Sequence, residues 1–376
     1  AMCYTVLVLG GITMVIPFLI MVSGSFKGKV DRHEYDLIPT FLYKEDVLFQ
    51  RYVEEKYNDR IQDYQIATGD YAPKFGRIVL PELPSGDLVM DWELFCKQEK
   101  HHTLYHLGAM TSLTAHQEKI TPRNQRAFRL YMRDLCNNDI EIFQKTYSPK
   151  LQNWFYLETN IERLLDRNYI LPANDKLTEA VNQFKTTRPF YDRIYLSVDG
   201  EYRKKCKANS LYARDIKKFN ELNDTHYVSF EEIVIPKEVP GTGERTEWEK
   251  FVRKSLHTQF ITISPQALEN YNGFLKNKYA NIQDLNKIYR SSYTTFTDIT
   301  FPEDKVTATP QLIDFTMFIE SEKWLSMDQV TLETPEMRWR TFLKTKYPFI
   351  EDARKAHNKS YACLLYTSDA ADESSR

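Results

Sequence analysis

The first 27 residues carry a pattern of apolar and polar positions that differs from the rest of the chain. From Tyr4 to Met21 the sequence reads YTVLVLGGITMVIPFLIM, eighteen residues without a charge, and the first charged residue is Lys27. A helix of this length extends about 27 Å, close to the thickness of the hydrocarbon core of a bilayer. The run lacks the polar face that a surface helix of a soluble protein has. The pattern therefore predicts a transmembrane helix over 1–26.

Two other interpretations of this apolar run stay open, a signal peptide and a lone membrane anchor. A signal peptide has a basic region before its apolar core and small residues at its exit. No basic residue precedes this run, and Val22-Ser23-Gly24-Ser25 matches such an exit poorly. Charge alone favours a cytoplasmic flank after the helix, because Lys27, Lys29 and Arg32 follow it.

Beyond residue 50 the sequence is amphipathic and repeats itself. The clearest copy begins with FLKNKY at Phe274, and FLKTKY at Phe342 begins another. The matched positions are Ile282, Leu285, Asn286, Tyr293, Phe296, Ile299 and Pro302 in the clearest copy, Ile216, Phe219, Asn220, Tyr227, Phe230, Ile233 and Pro236 in a second, Tyr57, Ile61, Tyr64, Phe75, Ile78 and Pro81 in a third, Tyr347, Ile350 and Tyr361 in a fourth, and Ile140 and Phe143 in a weaker fifth. From Ile216 to Ile282 is 66 positions, and from Ile282 to Ile350 is 68. This period exceeds the usual solenoid repeat of about 20–50 residues, so each unit is expected to contain several helices.

The spacing within a unit predicts its local structure. Phe274, Lys278 and Ile282 are each four positions apart, and Leu285 and Tyr289 continue the same face, which predicts one helix. The following Tyr-x-x-Phe-x-x-Ile-x-x-Pro stretch predicts either a short helix or an extended arm that ends at the proline. The repeated Tyr and Phe positions are expected to form the core, with a sugar-stacking surface as the alternative.

Helix starts are predicted where a hydroxyl residue precedes a proline. Three such pairs are Thr121-Pro122, Ser264-Pro265 and Thr334-Pro335, and a loop is predicted over 239–243. The predicted fold class is therefore mainly α, with one N-terminal transmembrane helix followed by a soluble helical domain of degenerate repeats.

Four segments divide the chain on these grounds. They are a transmembrane helix over 1–26, a post-helix segment over 27–50, a helical repeat domain over 51–362, and an artefact over 363–376. The last segment, which begins at Cys363, resembles a translated sequencing-library adapter and follows Tyr361 abruptly in the middle of a repeat. We therefore exclude it from the fold prediction.

The net charge and the composition give no sign of nucleic-acid binding and indicate a sizeable folded core. The formal net charge is -2, which gives no overall attraction to nucleic acid, and the small basic cluster over 203–207 is interpreted as a solvated face. The chain has 24 Tyr, 22 Phe and 5 Trp, enough apolar mass for two or more packed units in 376 residues.

The chemically reactive residue types predict no catalytic, cofactor or metal site. Of the five cysteines, Cys3 lies in the apolar run and Cys363 in the excluded tail. The other three, Cys96, Cys136 and Cys206, are an odd number without a C-x-x-C spacing, so neither a disulfide framework nor a zinc site is indicated. His101, His102 and His106 include an i, i+4 pair that could hold a metal, but no third ligand has a telling spacing. A phosphate loop, a nucleophile elbow and an assignable carboxylate pair are also missing from the sequence. Substrate-binding residues stay unassigned.

The end of the apolar run carries a resemblance to a known family. Residues 16–27, IPFLIMVSGSFK, resemble the first membrane helix of the permease subunits of maltose-type carbohydrate ABC importers. Those helices run into a Pro-Phe pair and end at Ser-Phe-Lys, and residues 36–40, DLIPT, resemble the short stretch that follows them. The resemblance implies a bacterial inner-membrane protein whose N-terminus is cytoplasmic and whose large domain is extracytoplasmic. It also implies an ATPase subunit, a second permease subunit and an extracytoplasmic sugar-binding protein as partners.

The predicted function is therefore that of a fragment of a carbohydrate importer permease with an enlarged extracytoplasmic domain, and not of an enzyme. The first alternative is a membrane-anchored helical-repeat protein that binds glycans or proteins. The second is a tethered glycoside hydrolase, because FLKNKYANIQDLNKIYRSSYTTF resembles a helical segment of some β-galactosidase-like hydrolases. A hydrolase would need two carboxylates at a set separation across a cleft.

Overall fold

The computed structural model describes residues 2–28, 30–31, 36–99, 104–108, 122–147, 150–159, 162–241 and 243–358, without the side chains of residues 2, 3 and 6–9. This part of the chain is mainly helical, which confirms the predicted class. Its α-helices are α1 (Met2–Ser25), α2 (Glu45–Lys56), α3 (Ile61–Thr68), α4 (Gly86–Gln98), α5 (Arg123–Leu135), α6 (Ile140–Tyr147), α7 (Lys176–Thr186), α8 (Val198–Ala208), α9 (Ile216–Asn223), α10 (Arg245–Lys254), α11 (Leu268–Lys278), α12 (Ile282–Tyr289), α13 (Pro310–Glu320), α14 (Pro335–Lys346) and α15 (Ile350–His357). The proposed artefact over 363–376 lies outside the described residues.

In the described part of the chain, four short strands form two antiparallel ladders between distant segments. β1 (Tyr105–His106) pairs with β2 (Ile194–Tyr195), and β3 (Ile261–Ile263) pairs with β4 (Val330–Leu332). Each ladder connects segments that precede or follow different helices, so the strands fasten neighbouring helical units to one another.

Helix α1 contains 24 residues, with Pro17 inside it, and its described apolar side chains are mostly exposed, Met14 by 82%. A search of the described residues finds no helix that is both long enough and apolar enough to cross a membrane. The transmembrane helix over 1–26 therefore stays a prediction.

A pair of helices recurs five times in the described chain. In each pair a helix of ten or more residues is followed by a helix of eight residues that begins with isoleucine. We name them pair 1 (α2–α3), pair 2 (α5–α6), pair 3 (α8–α9), pair 4 (α11–α12) and pair 5 (α14–α15). Pair 2 lies at the weakest of the five copies seen in the sequence.

The prediction of one helix from Phe274 to Tyr289 is wrong, because the segment forms two helices. The chain leaves the helical conformation at Tyr279, and Asn281 then caps α12 with its side-chain oxygen, which accepts a hydrogen bond from the Asp284 N–H at 2.9 Å. An asparagine cap satisfies a backbone donor that has no partner inside the helix. The apolar period continues across the break, and this continuity produced the error.

The predicted helix starts have mixed outcomes. Helix α14 begins at Pro335, and the Thr334 hydroxyl accepts a hydrogen bond from the Met337 N–H at 3.3 Å, as expected of a cap. Pro265 instead opens a 3₁₀ turn that leads into α11, and Ser264 makes no capping hydrogen bond there. Thr121 lies outside the described residues, and the loop predicted over 239–243 precedes α10.

In pairs 1 to 4 the loop after the short helix is fastened by an amide side chain on that helix. In pair 4 the Asn286 Nδ2 donates to the Tyr293 carbonyl at 2.8 Å, and its Oδ1 accepts from the Tyr293 N–H at 2.9 Å. The same seven-residue link joins Asn220 to Tyr227, Gln65 to Ala72 and Gln144 to Leu151. A single 3₁₀ turn follows, at Phe296–Asp298 in pair 4, so the Tyr-to-Pro stretch is a short helical turn and then an extended segment.

Replacing Asn286 with alanine should destabilise the protein by about 2 kcal/mol, because two backbone groups of Tyr293 lose their partner. Denaturant unfolding, followed by far-ultraviolet circular dichroism, would measure the loss. Asn277→Ala is the matched control, since Asn277 is exposed on α11, and it should change stability by less than about 0.5 kcal/mol. Equal effects of the two substitutions would contradict the proposed role of the amide.

A third helix packs on pairs 2, 3 and 4, and α13 on pair 4 is the clearest example. Its buried Asp314 accepts hydrogen bonds from the Tyr279 and Tyr289 hydroxyls, both at 2.7 Å. Asp314 also forms an ion pair with Lys278. The ring of Phe318 lies 5.1 Å from that of Tyr271 on α11. In the same way, α7 packs on pair 2 through Phe184 and Phe128, and α10 on pair 3 through Phe251 and Tyr202.

Helix α4 packs on pair 5, although it follows pair 1 in the sequence. Asp91 accepts hydrogen bonds from the Tyr347 hydroxyl at 2.7 Å and from His357 Nε2 at 3.0 Å, and it pairs with Lys346. The rings of Trp92 and Trp339 meet edge to face at 5.2 Å. Helix α4 therefore takes on pair 5 the position that α13 takes on pair 4, and we name this packing the closure contact.

Candidate binding cleft

Helices α3 and α8 and the segment over 162–168 border a cleft of ≈ 430 Å³, which we name the central cleft. Its volume falls within the range of sites that hold small-molecule ligands. It is lined by the basic residues Arg60, Arg163, Lys204, Lys205 and Lys254, the acidic residues Asp63, Glu162, Asp166 and Glu201, and apolar residues that include Ile66, Leu164 and Leu196. The cleft lies between pair 1, pair 3 and the segment over 162–168, so no single pair forms it.

A glycine sets the separation of the two helices that form one wall. A Cβ atom at Gly200 of α8 would lie 2.1 Å from the carbonyl oxygen of Ile66 on α3. Only glycine lets the two backbones approach so closely. On the cleft side, Glu201, Lys204 and Lys205 share one face of α8, because they are three and four positions apart.

Basic side chains concentrate around one carboxylate in the cleft. Arg60 Nε lies 3.0 Å from Asp63 Oδ2. Burial raises the pKa of Asp63, and the charges of Arg60, Lys204 and Arg163 oppose that rise, so all three cations lie near it. The lining as a whole carries five basic and four acidic residues, so positive charge is in slight excess.

A buried carboxylate with an unused oxygen also borders the cleft. Glu162 Oε1 accepts from Lys185 Nζ at 2.8 Å, and the glutamate side chain is only 8% exposed. Its second oxygen, Oε2, has no hydrogen-bond partner among the described residues. Such an acceptor is costly to bury alone, by about 1–3 kcal/mol, and a ligand hydroxyl would satisfy it.

Among the described residues of the histidine motif KHHTLYH, His106 lines the cleft. The Nδ1 atom of His106 accepts from the Gly108 N–H at 3.0 Å. Burial lowers the pKa of His106 to about 3, and the charges of Lys185, Arg60 and Lys56 add to this, so the ring is neutral at pH 7. His101 and His102 lie outside the described residues, and the part of the chain that is described contains no cluster of three potential metal ligands.

The arrangement suits binding better than nucleophilic chemistry. Cys206 borders a neighbouring cavity of ≈ 340 Å³, and burial raises the pKa of its thiol well above the ordinary value. A thiol that stays protonated is a weak nucleophile. The cleft itself offers cations, carboxylate acceptors and apolar side chains, which are the groups that recognise a polar ligand.

Sequence reasoning missed these cleft residues. Lys204 and Lys205 belong to the cluster over 203–207 that was interpreted as a solvated face, and both side chains are indeed about half exposed. Arg60, Asp63 and Arg163 come from segments far apart in the chain, so no spacing could connect them. The likeness to importer permeases stands on residues 16–27 and 36–40 alone, because no protein-family model, no curated protein and no solved structure matches the chain.

Proposed function

We propose that this chain is part of the membrane-spanning permease subunit of a carbohydrate ABC importer, and that its helical repeat domain is extracytoplasmic. The observation that carries the proposal is the uncharged run from Tyr4 to Met21, with its Pro-Phe to Ser-Phe-Lys end. Placing α1 in lipid would remove the exposed side chains of Met14 and Phe18 from water.

The junction between α1 and the domain supports this arrangement. Arg51 of α2 donates to the Phe26 carbonyl at 2.9 Å, and its guanidinium lies 3.9 Å from the ring centre of Phe41. Ser23 and Lys27 both donate to the Asp36 carbonyl, at 2.8 and 3.1 Å. With α1 in the membrane, these bonds would hold the repeat domain directly at the outer surface.

The expected partners follow from this assignment. An ATPase subunit would drive alternating access, a second permease subunit would complete the pathway, and a sugar-binding protein would deliver the ligand outside the inner membrane. The repeat domain is then placed to receive that binding protein or its cargo.

A membrane-anchored binding protein without a transport pathway is the second candidate. The central cleft favours it, because a ligand site in the repeat domain does not depend on further membrane helices. Several additional apolar segments of about 20 residues in the complete gene product would support the permease, whereas their absence would support the anchor.

A cysteine introduced at Gly241 tests the topology. Gly241 is exposed, and no atom lies within 4 Å of a Cβ added there, so Gly241→Cys should leave the fold intact. A membrane-impermeant maleimide is expected to label this variant in intact cells whose outer membrane has been permeabilised. The unmodified chain gives the background, since it also contains Cys3 and Cys363; among the cysteines whose side chains are described, Cys96 is partly buried and Cys136 and Cys206 are buried. Labelling that appears only after cell lysis would show that the domain is cytoplasmic and would refute the proposal.

A further inference from the structure

We infer that the central cleft binds an anionic saccharide, whose acidic group contacts Arg60, Arg163 and Lys204 while a hydroxyl donates to Glu162. The saccharide class rests on the proposed function. The anionic character rests on the cleft alone.

The case for an anion comes from the balance of ion pairs in the cleft. Glu201 is the partner of both Lys204, at 3.4 Å, and Lys205, at 4.0 Å, so one carboxylate serves two ammonium groups. Arg163 has no ion pair with any residue that the structure describes. A bound carboxylate or sulfate would balance the one extra positive charge of the lining, and a guanidinium can bind either group through two parallel hydrogen bonds.

The case for a hydroxylated ligand comes from Glu162. Because Lys185 holds Oε1, the side chain is fixed, and Oε2 stays buried without a partner in the described chain. An ionised carboxylate only accepts hydrogen bonds, so the group that satisfies Oε2 must be a donor. A sugar hydroxyl is such a donor, and it carries no charge that the neighbouring cations would repel.

The apolar part of the lining completes the fit. Ile66, Leu164 and Leu196 border the same cleft as the charged residues. A sugar ring presents C–H groups between its hydroxyls, and these can lie on apolar side chains while the polar groups reach the cations and Glu162. A small inorganic anion would leave both Glu162 and the apolar residues without a contact.

Calorimetric titration of the full chain in detergent would test the inference with three probes. Digalacturonate carries carboxylates, a sulfated lactose carries a sulfate, and galactobiose is the uncharged match of digalacturonate. We expect at least one anionic probe to bind about tenfold or more tightly than galactobiose, through charge-assisted hydrogen bonds. Comparing the two anionic probes identifies the acidic group. The affinity should fall as the salt concentration rises from about 50 to 500 mM.

Variants then locate the site. Arg163→Gln and Lys204→Gln should each weaken binding of the preferred probe by about tenfold, because each loses a charged contact. Both side chains are substantially exposed, so the variants should fold, and their thermal unfolding would be compared with that of the unmodified chain. Lys287→Gln removes the same charge from an exposed position on α12 and should leave the affinity unchanged.

Three results would overturn the inference: no binding of either anionic probe, equal binding of galactobiose, or equal affinities in the cleft variants and the unmodified chain. The topology experiment is independent of all three. If the domain is cytoplasmic but binds an anionic probe, the permease proposal is refuted and the proposed ligand site stands. If the domain is extracytoplasmic but binds neither anionic probe, the ligand site is refuted and the permease proposal stands.

Discussion

Replacing Asp91 with alanine is expected to destabilise the protein by about 3–5 kcal/mol, as is typical when one partner of a buried charged network is removed. The carboxylate is 1% exposed and accepts hydrogen bonds from Tyr347 and His357, besides its ion pair with Lys346. Without it, the tyrosine hydroxyl and the imidazole lose their acceptor inside the closure contact. Lys346 is 40% exposed and can regain water, so most of the loss comes from the other two groups.

Thermal and denaturant unfolding would measure this effect, with hydrogen exchange to localise it. Helices α4, α14 and α15 should lose protection together. Glu93→Ala on the same helix is the control, since Glu93 forms only an exposed pair with Lys97 at 3.7 Å and should contribute less than about 1 kcal/mol. If Asp91→Ala is no worse than Glu93→Ala, α4 does not pack on pair 5 as described.

Replacing Gly200 with alanine should cost about 3 kcal/mol, near the upper end of the usual range for overpacking. The added Cβ would meet the Ile66 backbone at 2.1 Å, and a backbone carbonyl cannot rotate away as a side chain can. Helix α8 would have to move away from α3, which would also displace one wall of the central cleft. We therefore expect weaker ligand binding together with a lower unfolding midpoint.

Gly86→Ala is the matched control for this substitution. Gly86 begins α4, and no atom lies within 4 Å of a Cβ built there, so alanine should be neutral or stabilise the helix by up to about 1 kcal/mol. A Gly200→Ala variant as stable as Gly86→Ala would show that α3 and α8 do not approach as closely as the structure indicates.

The helical class and the positions of the repeat units were predictable, because apolar residues recur at fixed offsets. The division of each unit into a long helix and a short helix was not predictable from this pattern. The apolar face of α11 continues through Tyr279 into α12, so periodicity alone predicts one helix, and only the capping residue Asn281 marks the break.

Three of the helices that pack on a pair, α4, α10 and α13, share a signal in the sequence. An acidic residue, an aromatic residue and a phenylalanine recur as Asp91-Trp92-x-x-Phe95, Glu247-Trp248-x-x-Phe251 and Asp314-Phe315-x-x-Phe318. The repeat was defined by its Tyr, Phe and Ile positions, and these do not include the acidic residues of this motif. Even with the motif in hand, the partner of Asp91 could not be predicted, because a Lys-Tyr dipeptide ends the long helix of pair 1, pair 4 and pair 5 alike.

The central cleft was beyond prediction for a related reason. Arg60, Arg163 and Lys204 meet only after three distant segments have packed, and each looks like an ordinary surface cation in its own segment. Glu162 is distinctive because one of its oxygens is buried without a partner, and burial of a single atom leaves no trace in residue spacing.

The closure contact also imposes a delay on the newly made chain. Lys346 follows Asp91 by 255 positions, so at about 5–20 residues per second its synthesis comes roughly 13–50 s after that of α4. During this interval Leu88, Trp92 and Phe95, which are buried in the finished protein, have no pair 5 to cover them. A chaperone could occupy that surface, or the α4 of one nascent chain could pack on the completed pair 5 of its neighbour. Exchanged dimers formed in this way would be most frequent when synthesis is slow and the chains are crowded.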